Sequence, residues 1–251
     1  MIKIHQLNKQ YQDKWVLRDI QLTIPRGGLI SLIGPNGAGK STLLSAIGRL
    51  VTTYSGEISI DDHPVKTTPG DVLARLVAMQ RQENHFVTRL TVRELVSFGR
   101  YPYSKGRLTA NDHQMIQQAL VFLQLNELAD RYLDQLSGGQ RQRVYVAMVL
   151  CQDTPYILLD EPLNNLDMKN AVMMMQLIRR AADELGKTVI TVIHDINFAS
   201  VYSDRIIAMK DGAIVFDGTA QQIMQTEQLR AIFELDVHIA QIGGKSIGIY
   251  F

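Results

Sequence analysis

Nine consecutive residues, Gly34-Pro35-Asn36-Gly37-Ala38-Gly39-Lys40-Ser41-Thr42, have the types and spacing of a phosphate-binding loop. They follow the apolar run Leu29 to Ile33 and precede Leu43-Leu44-Ser45-Ala46-Ile47, so they read as the turn between a strand and a helix. Glycines reach backbone torsions closed to other residues and let several main-chain N–H groups point at one anion. The following helix adds the positive end of its dipole at the same place. In such a loop Lys40 would reach the β- and γ-phosphates, the Ser41 hydroxyl would ligate magnesium, and Thr42 would add a phosphate contact.

A second constellation is the apolar run Tyr156-Ile157-Leu158-Leu159 followed by Asp160-Glu161-Pro162. A strand ending in two acids delivers both carboxylates to one edge of a sheet. Asp160 would hold magnesium directly or through water, and Glu161 would polarise an attacking water as general base. The third is Leu136-Ser137-Gly138-Gly139-Gln140, which opens a helix through Arg141-Gln142-Arg143-Val144. Ser137 and Gln140 have capping-box spacing, and the two glycines allow a phosphate to approach the backbone. This second anion site lies nearly a hundred residues from the first. One chain is therefore not expected to close both around the same ligand.

The elements that must position these groups follow from hydrophobic periodicity. Ile2 to Leu7, Val16 to Ile24 and Leu29 to Ile33 read as strands, and Glu57-Ile58-Ser59-Ile60 with Pro64-Val65 extends an antiparallel layer. Residues from about 86 to 150 carry helical spacing over Thr91 to Phe98, Ala110 to Leu125 and Gly138 to Cys151. Strands at Tyr156 to Leu159, Thr188 to Ile193, Arg205 to Met209 and Ala213 to Phe216 then alternate with helices at Met168 to Leu185 and Asn197 to Tyr202. That alternation predicts a mostly parallel sheet covered by helices. A helix is expected over Thr219 to Thr226, before an apolar end, Ile247 to Phe251, to which no role attaches.

The 251 residues, with 46% apolar and 20% charged side chains, exclude disordered and fibrous classes. A net charge of +1 gives no global field toward nucleic acid or an acidic membrane surface, and no nucleic-acid partner is expected. No apolar stretch is long enough to span a bilayer, and Met1-Ile2-Lys3-Ile4-His5 lacks signal-peptide form, so a cytoplasmic chain is expected. Cys151, the single cysteine, falls in an apolar stretch and reads as a core residue. The six histidines show no metal-ligand spacing, so no transition-metal site is expected, and Met173-Met174-Met175 reads as helix packing.

Together, the glycine loop, the acid pair and Leu136 to Gln140 make the chain resemble the ATP-binding cassette of ABC transporters over essentially its whole length. The resemblance implies an α/β fold: a RecA-like P-loop NTPase core with an antiparallel β subdomain and an α-helical subdomain. Residues 1–251 would form one cassette, with 1–85 and 151–251 as nucleotide-binding core and β layer and 86–150 as the helical part. In that family the signature of one subunit closes on the γ-phosphate held by the loop of the other. ATP and Mg2+ are implied, with Ser137, Gly138, Gly139 and Gln140 contacting nucleotide across a head-to-tail dimer. Tyr11 stands where an aromatic stacks on adenine, and Asp167, in Leu163-Asn164-Asn165-Leu166-Asp167, where the D-loop looks toward the partner's site. Gln82 matches the glutamine that touches magnesium and water, although Arg81 replaces the usual proline before it; Gln80 competes for that position, and spacing to Thr91 favours Gln82. His194 matches the switch histidine that senses γ-phosphate.

With one cassette and no spanning segment, a transport role requires separate integral-membrane permease subunits and, through them, a periplasmic or surface-anchored substrate-binding protein. The chain would sit peripherally on the cytoplasmic face of the plasma membrane. The segment Thr91 to Tyr103, with its Phe98-Gly99-Arg100-Tyr101-Pro102-Tyr103 turn, resembles importers of iron-siderophore, haem and cobalamin type, with ferric siderophore uptake favoured. A soluble non-transport cassette lacks support, having neither a second cassette nor a coiled-coil insertion, and a small-molecule kinase has no use for a signature helix.

Overall fold

The computed structural model describes residues 1–81 and 88–250. Alternating apolar side chains build the first two strands, β1 (Ile2–Tyr11) and β2 (Lys14–Ile24), which bury Ile2, Ile4, Leu7, Leu17, Ile20, Leu22 and Ile24. They pair with β4 (Ser55–Ile60) and β5 (His63–Pro64) as an antiparallel sheet of order β2-β1-β4-β5. Between them β3 (Gly28–Ile33), an almost fully buried strand, feeds the glycine loop and α1 (Lys40–Ile47).

After the short α2 (Gly70–Leu73) comes β6 (Val77–Gln80), a strand that periodicity missed because it is short, with three residues buried and Met79 half-buried, and shows no alternation. A helical layer follows: α3 (Val92–Ser97), α4 (Tyr101–Ser104), α5 (Ala110–Phe122) and α6 (Gly138–Cys151). Capping boxes Thr91/Glu94, Thr109/Asp112 and Ser137/Gln140 start α3, α5 and α6. Inside this layer the Arg100 guanidinium donates through Nε to Asp112 Oδ1 at 2.9 Å and through Nη1 to the carbonyl of Cys151 at 2.9 Å. It thereby joins the turn after α3 to the start of α5 and the end of α6. Thr109 N–H bonding first, then the hydroxyl of Thr109 and Arg100, hold the Asp112 carboxyl down at about 2 against its burial.

From there β7 (Tyr156–Leu159), α7 (Met168–Glu184), β8 (Thr188–Val192), α8 (Ile196–Tyr202), β9 (Arg205–Lys210) and β10 (Ala213–Gly218) complete a six-stranded sheet of order β10-β9-β3-β8-β7-β6. Every pairing in it is parallel except β10 against β9. One core lies between this sheet and the helical layer, and another between the two sheets around α1. Met174 and Met175 are fully buried in the first, as the packing reading expects, and Cys151 lies there with its thiol pushed up by burial to about 12.

The C-terminal expectation needs correction. The helix placed at Thr219 to Thr226 is split into α9 (Ala220–Ile223) and α10 (Thr226–Phe233), and the apolar end is a hairpin, β11 (His238–Ile242) and β12 (Lys245–Ile249). The Met224-Gln225 break leaves helical torsions, with Gln225 extended before α10. The hairpin rests on α8: Asn197 donates to the Gly248 carbonyl and accepts from its N–H, and Ser200 Oγ donates to the Ser246 carbonyl.

Candidate nucleotide site

The sheet order sets β3, β7 and β8 side by side and parallel, so Gly34, Asp160 and His194 emerge at one carboxyl edge. Such an edge is where open α/β sheets bind ligands. The loop's path requires glycine at two crowded positions. A side chain on Gly34 (φ +137°) would meet the Met209 carbonyl at 2.0 Å, and one on Gly39 (φ +100°) the Val16 carbonyl at 2.4 Å. Residues Asn36, Gly37, Ala38, Gly39, Lys40, Ser41 and Thr42, with Val16, Glu161 and His194, enclose a cavity of about 150 Å³.

Lys40 is 5% exposed and donates from Nζ to the carbonyls of Gly34 (2.8 Å) and Pro35 (2.9 Å). An ammonium has three donors, so one N–H remains for an anion in the cavity. Burial lowers the Lys40 amine from its usual value, against the pull of the Glu161 and Asp160 carboxylates.

Ser41 Oγ donates to Asp160 Oδ1 at 2.8 Å, bringing together two of the three groups assigned to magnesium from sequence. Burial lifts the Asp160 carboxyl above its usual value; the Ser41 bond opposes that shift and the Glu161 charge adds to it. An oxygen-only pair, with a carboxylate that burial makes costly to ionise alone, suits a hard divalent cation.

Glu161 Oε1 lies 2.7 Å from His194 Nε2, and Oε2 accepts from Asn164 Nδ2. The Glu161 backbone takes φ +53°, a conformation that costs an L-residue about 1–2 kcal/mol and is held where function needs it. The Asn164 N–H bonds the Glu161 carbonyl at 3.2 Å and closes this turn. Asn164 had no role from sequence; its place three residues after the second acid was the available signal.

The remaining site residues divide. Ser137 caps α6, its Oγ accepting from Gln140 N–H at 3.2 Å while Gln140 Oε1 accepts from Ser137 N–H at 2.9 Å. Gly139 lies so close to Asn170 that an added side chain would meet it at 2.6 Å, and Asp167 caps α7 through the Asn170 N–H at 2.8 Å. The start of the signature helix and the D-loop thus touch within one chain. Neither reaches the phosphate cavity, whose lining includes no residue of 137–140 or 167. Tyr11 ends β1 and is 49% exposed. Gln82 falls outside the described residues. The competing Gln80 is 1% exposed, with no partner for its side-chain amide among the described residues, while its carbonyl accepts from Asp160 N–H at 3.1 Å.

A parallel sheet, a strand–glycine loop–helix and two acids at the next strand's end define a P-loop NTPase site, and comparison with known proteins places it more narrowly. The ABC transporter family model matches residues 17–164, and the chain belongs to that family of ATP-binding, ATP-hydrolysing cassettes. It is 54% identical over 250 residues to the petrobactin import ATP-binding protein FatE of Bacillus anthracis, covering 100% of both chains. It is 51% identical over 251 residues to the petrobactin import ATP-binding protein YclP of Bacillus subtilis (strain 168), again covering 100% of both. Among solved structures, the ATP-binding cassette MJ0796, determined as a dimer in a post-hydrolysis state bound to ADP and Pi, superposes with TM-score 0.78 at 32% identity, covering 88% of this chain and 99% of that one.

Proposed function

We propose that this ATPase energises import of a ferric siderophore, as a head-to-tail homodimer beneath separate permease subunits on the cytoplasmic face of the plasma membrane. The observation that carries the cargo class is full-length identity above half to two petrobactin import ATP-binding proteins. No helix among the described residues is long and apolar enough to cross a membrane, so attachment would come through the permease. The phosphate cavity without its signature helix supports the dimer reading: the anion-binding start of α6 would complete the cavity of a second copy.

In this reading the loop N–H groups and Lys40 take the β- and γ-phosphates, Thr42 adds a hydroxyl, and Tyr11 stacks on the base. Ser41 and Asp160, with Gln82, would hold Mg2+, which when bound neutralises charge between the β- and γ-phosphates. Glu161 accepts the proton of the attacking water, and its carboxylate is aimed by His194 on one oxygen and Asn164 on the other. The partner's Ser137, Gly138, Gly139 and Gln140 meet charge developing on the γ-phosphate, and Asp167 lies at the same junction. Residues 86–150 act as the helical subdomain. Its exposed Phe98 and Tyr101, 49% and 60% accessible, form the surface offered to the permease, which in turn receives a substrate-binding protein.

Capture of the tagged chain from gently solubilised membranes of the source cell, followed by mass spectrometry, tests the proposal. A polytopic permease recovered with an iron-chelate-binding protein is the expected result. A permease with a haem- or cobalamin-binding protein would move the cargo, and recovery without any membrane partner would overturn the transport assignment.

A further inference from the structure

Two residues before Tyr11 on the same strand, Lys9 is 7% exposed, although it carries an ammonium group. Its Nζ donates to Thr53 Oγ1 at 2.6 Å and sits 4.3 Å from the centroid of the Tyr11 ring, and it makes no ion pair among the described residues. The register of β1 against β2 shifts on both sides of Lys9, between Leu7 and Lys9 and again between Lys9 and Gln10. Bulges re-aim side chains, and residues two apart share a strand face, so this local geometry sets the amine over the ring. Thr53, from the segment before β4, fixes its far side.

A buried ammonium held by one hydroxyl and one aromatic face contributes poorly to folding, because desolvation is offset by no opposite charge. Its useful interaction is with Tyr11. A cation over one face pins the ring and withdraws electron density from it, which strengthens stacking of a purine on the other face. Tyr11 itself remains half exposed and free to receive such a base.

We infer that Lys9 is a positioning residue for base recognition: its ammonium, clamped by Thr53, orients and polarises Tyr11 as the platform on which the adenine of ATP stacks. The inference rests on the stacking role proposed for Tyr11. Its effect belongs to affinity for the base and not to the chemistry at the phosphates, where Lys9 lines nothing.

The test measures binding of ATP and of inorganic tripolyphosphate, the same phosphate chain without a base, to the full chain and to Lys9→Met, Lys9→Arg, Tyr11→Ala and the Lys9→Met/Tyr11→Ala double variant. A cation–π contact of this kind corresponds to about a threefold to tenfold change in Kd. Lys9→Met is expected to weaken ATP by that factor, leave tripolyphosphate unchanged and keep or raise Tm; Lys9→Arg restores ATP affinity. In the Tyr11→Ala background, Lys9→Met should do nothing more. Equal loss for ATP and tripolyphosphate, or an undiminished Lys9 effect without Tyr11, would overturn the inference. So would an unchanged ATP affinity in Lys9→Met where Tyr11→Ala weakens it, which leaves stacking intact. If Tyr11→Ala binds ATP normally, the stacking role fails and takes the inference with it. Lys9→Gln repeats the comparison should the methionine variant not fold.

Discussion

The two helix starts to which we assign anion binding are built alike and finished differently. Both place glycines at a helix start, yet at the phosphate loop the charged and hydroxyl groups are tied together: Lys40 to the loop carbonyls, Ser41 to Asp160, Glu161 to His194 and Asn164. At the signature helix the Ser137/Gln140 box is satisfied within itself, backed by Asn170, and lines no part of the phosphate cavity. In the proposed reading the first end supplies the chemistry and the second the lid. In the head-to-tail dimer we propose, a single copy would carry two half-sites and turnover would belong to the pair.

The largest effect falls on the end with the chemistry. Glu161→Gln keeps the geometry around His194 and Asn164 but cannot accept a proton, so kcat should fall about 10²- to 10⁴-fold while ATP is still bound. In gel filtration with ATP this variant should run as a dimer; full turnover would remove Glu161 from the role of base. A complementation test then separates the halves. Lys40→Ala should lose most nucleotide affinity, and Gly139→Asp, which sets a carboxylate at the signature and crowds Asn170, should bind ATP yet fail to hydrolyse it. Mixed together, the two inactive chains form one intact composite site, and ATPase activity well above either alone is expected. Activity that stays absent on mixing would place both halves of a working site in one chain.

Behind the signature helix the framework is stiff. The Arg100–Asp112 pair has side chains 5% and 3% exposed, and Arg100 also holds the carbonyl at the end of α6. Breaking a buried pair from one side strands a charge, so Arg100→Ala should cost about 3–5 kcal/mol in a denaturant melt. ATP affinity at the phosphate loop should change little, since that end shares none of these contacts. The Asp112 carboxyl is depressed to about 2 when folded, so its contribution is full above the unfolded carboxylate value near 4 and is lost as pH falls from there toward 2. In the Arg100→Ala protein that acid-range loss should be smaller.

How much of this could be read from residues alone differs between the same regions. The glycine loop, the acid pair and the Ser137/Gln140 box are local patterns, each fixed by torsions or caps within a few residues, and each lies where its spacing predicts. The pairings are less legible because they are tertiary. Nothing in Lys9-Gln10-Tyr11 announces an amine folded over the ring, since Thr53 and two register shifts place it. The strand β6 escaped because four residues, three of them buried, carry no period. The C-terminal hairpin escaped because its strands, part-exposed and alternating weakly, are held by hydrogen bonds from α8.

Asn164 offers the finest test of the finished end. If Glu161 is aimed from both oxygens, removing the Asn164 donor takes the aim off Oε2 while His194 still meets Oε1, on a backbone at φ +53°. One hydrogen bond to a charged group is worth about 1.5–3 kcal/mol at most, and rotation recovers part of it through water. Asn164→Ala should thus lower kcat by about tenfold with KM for ATP unchanged, because an aiming contact matters once water is attacked and not while phosphates bind. Asn164→Asp should do worse than alanine, since a second carboxylate repels Glu161 where the amide donated to it. If KM rises and kcat holds, Asn164 belongs to the nucleotide cradle, and the division between the two ends must be redrawn to include the turn after Glu161.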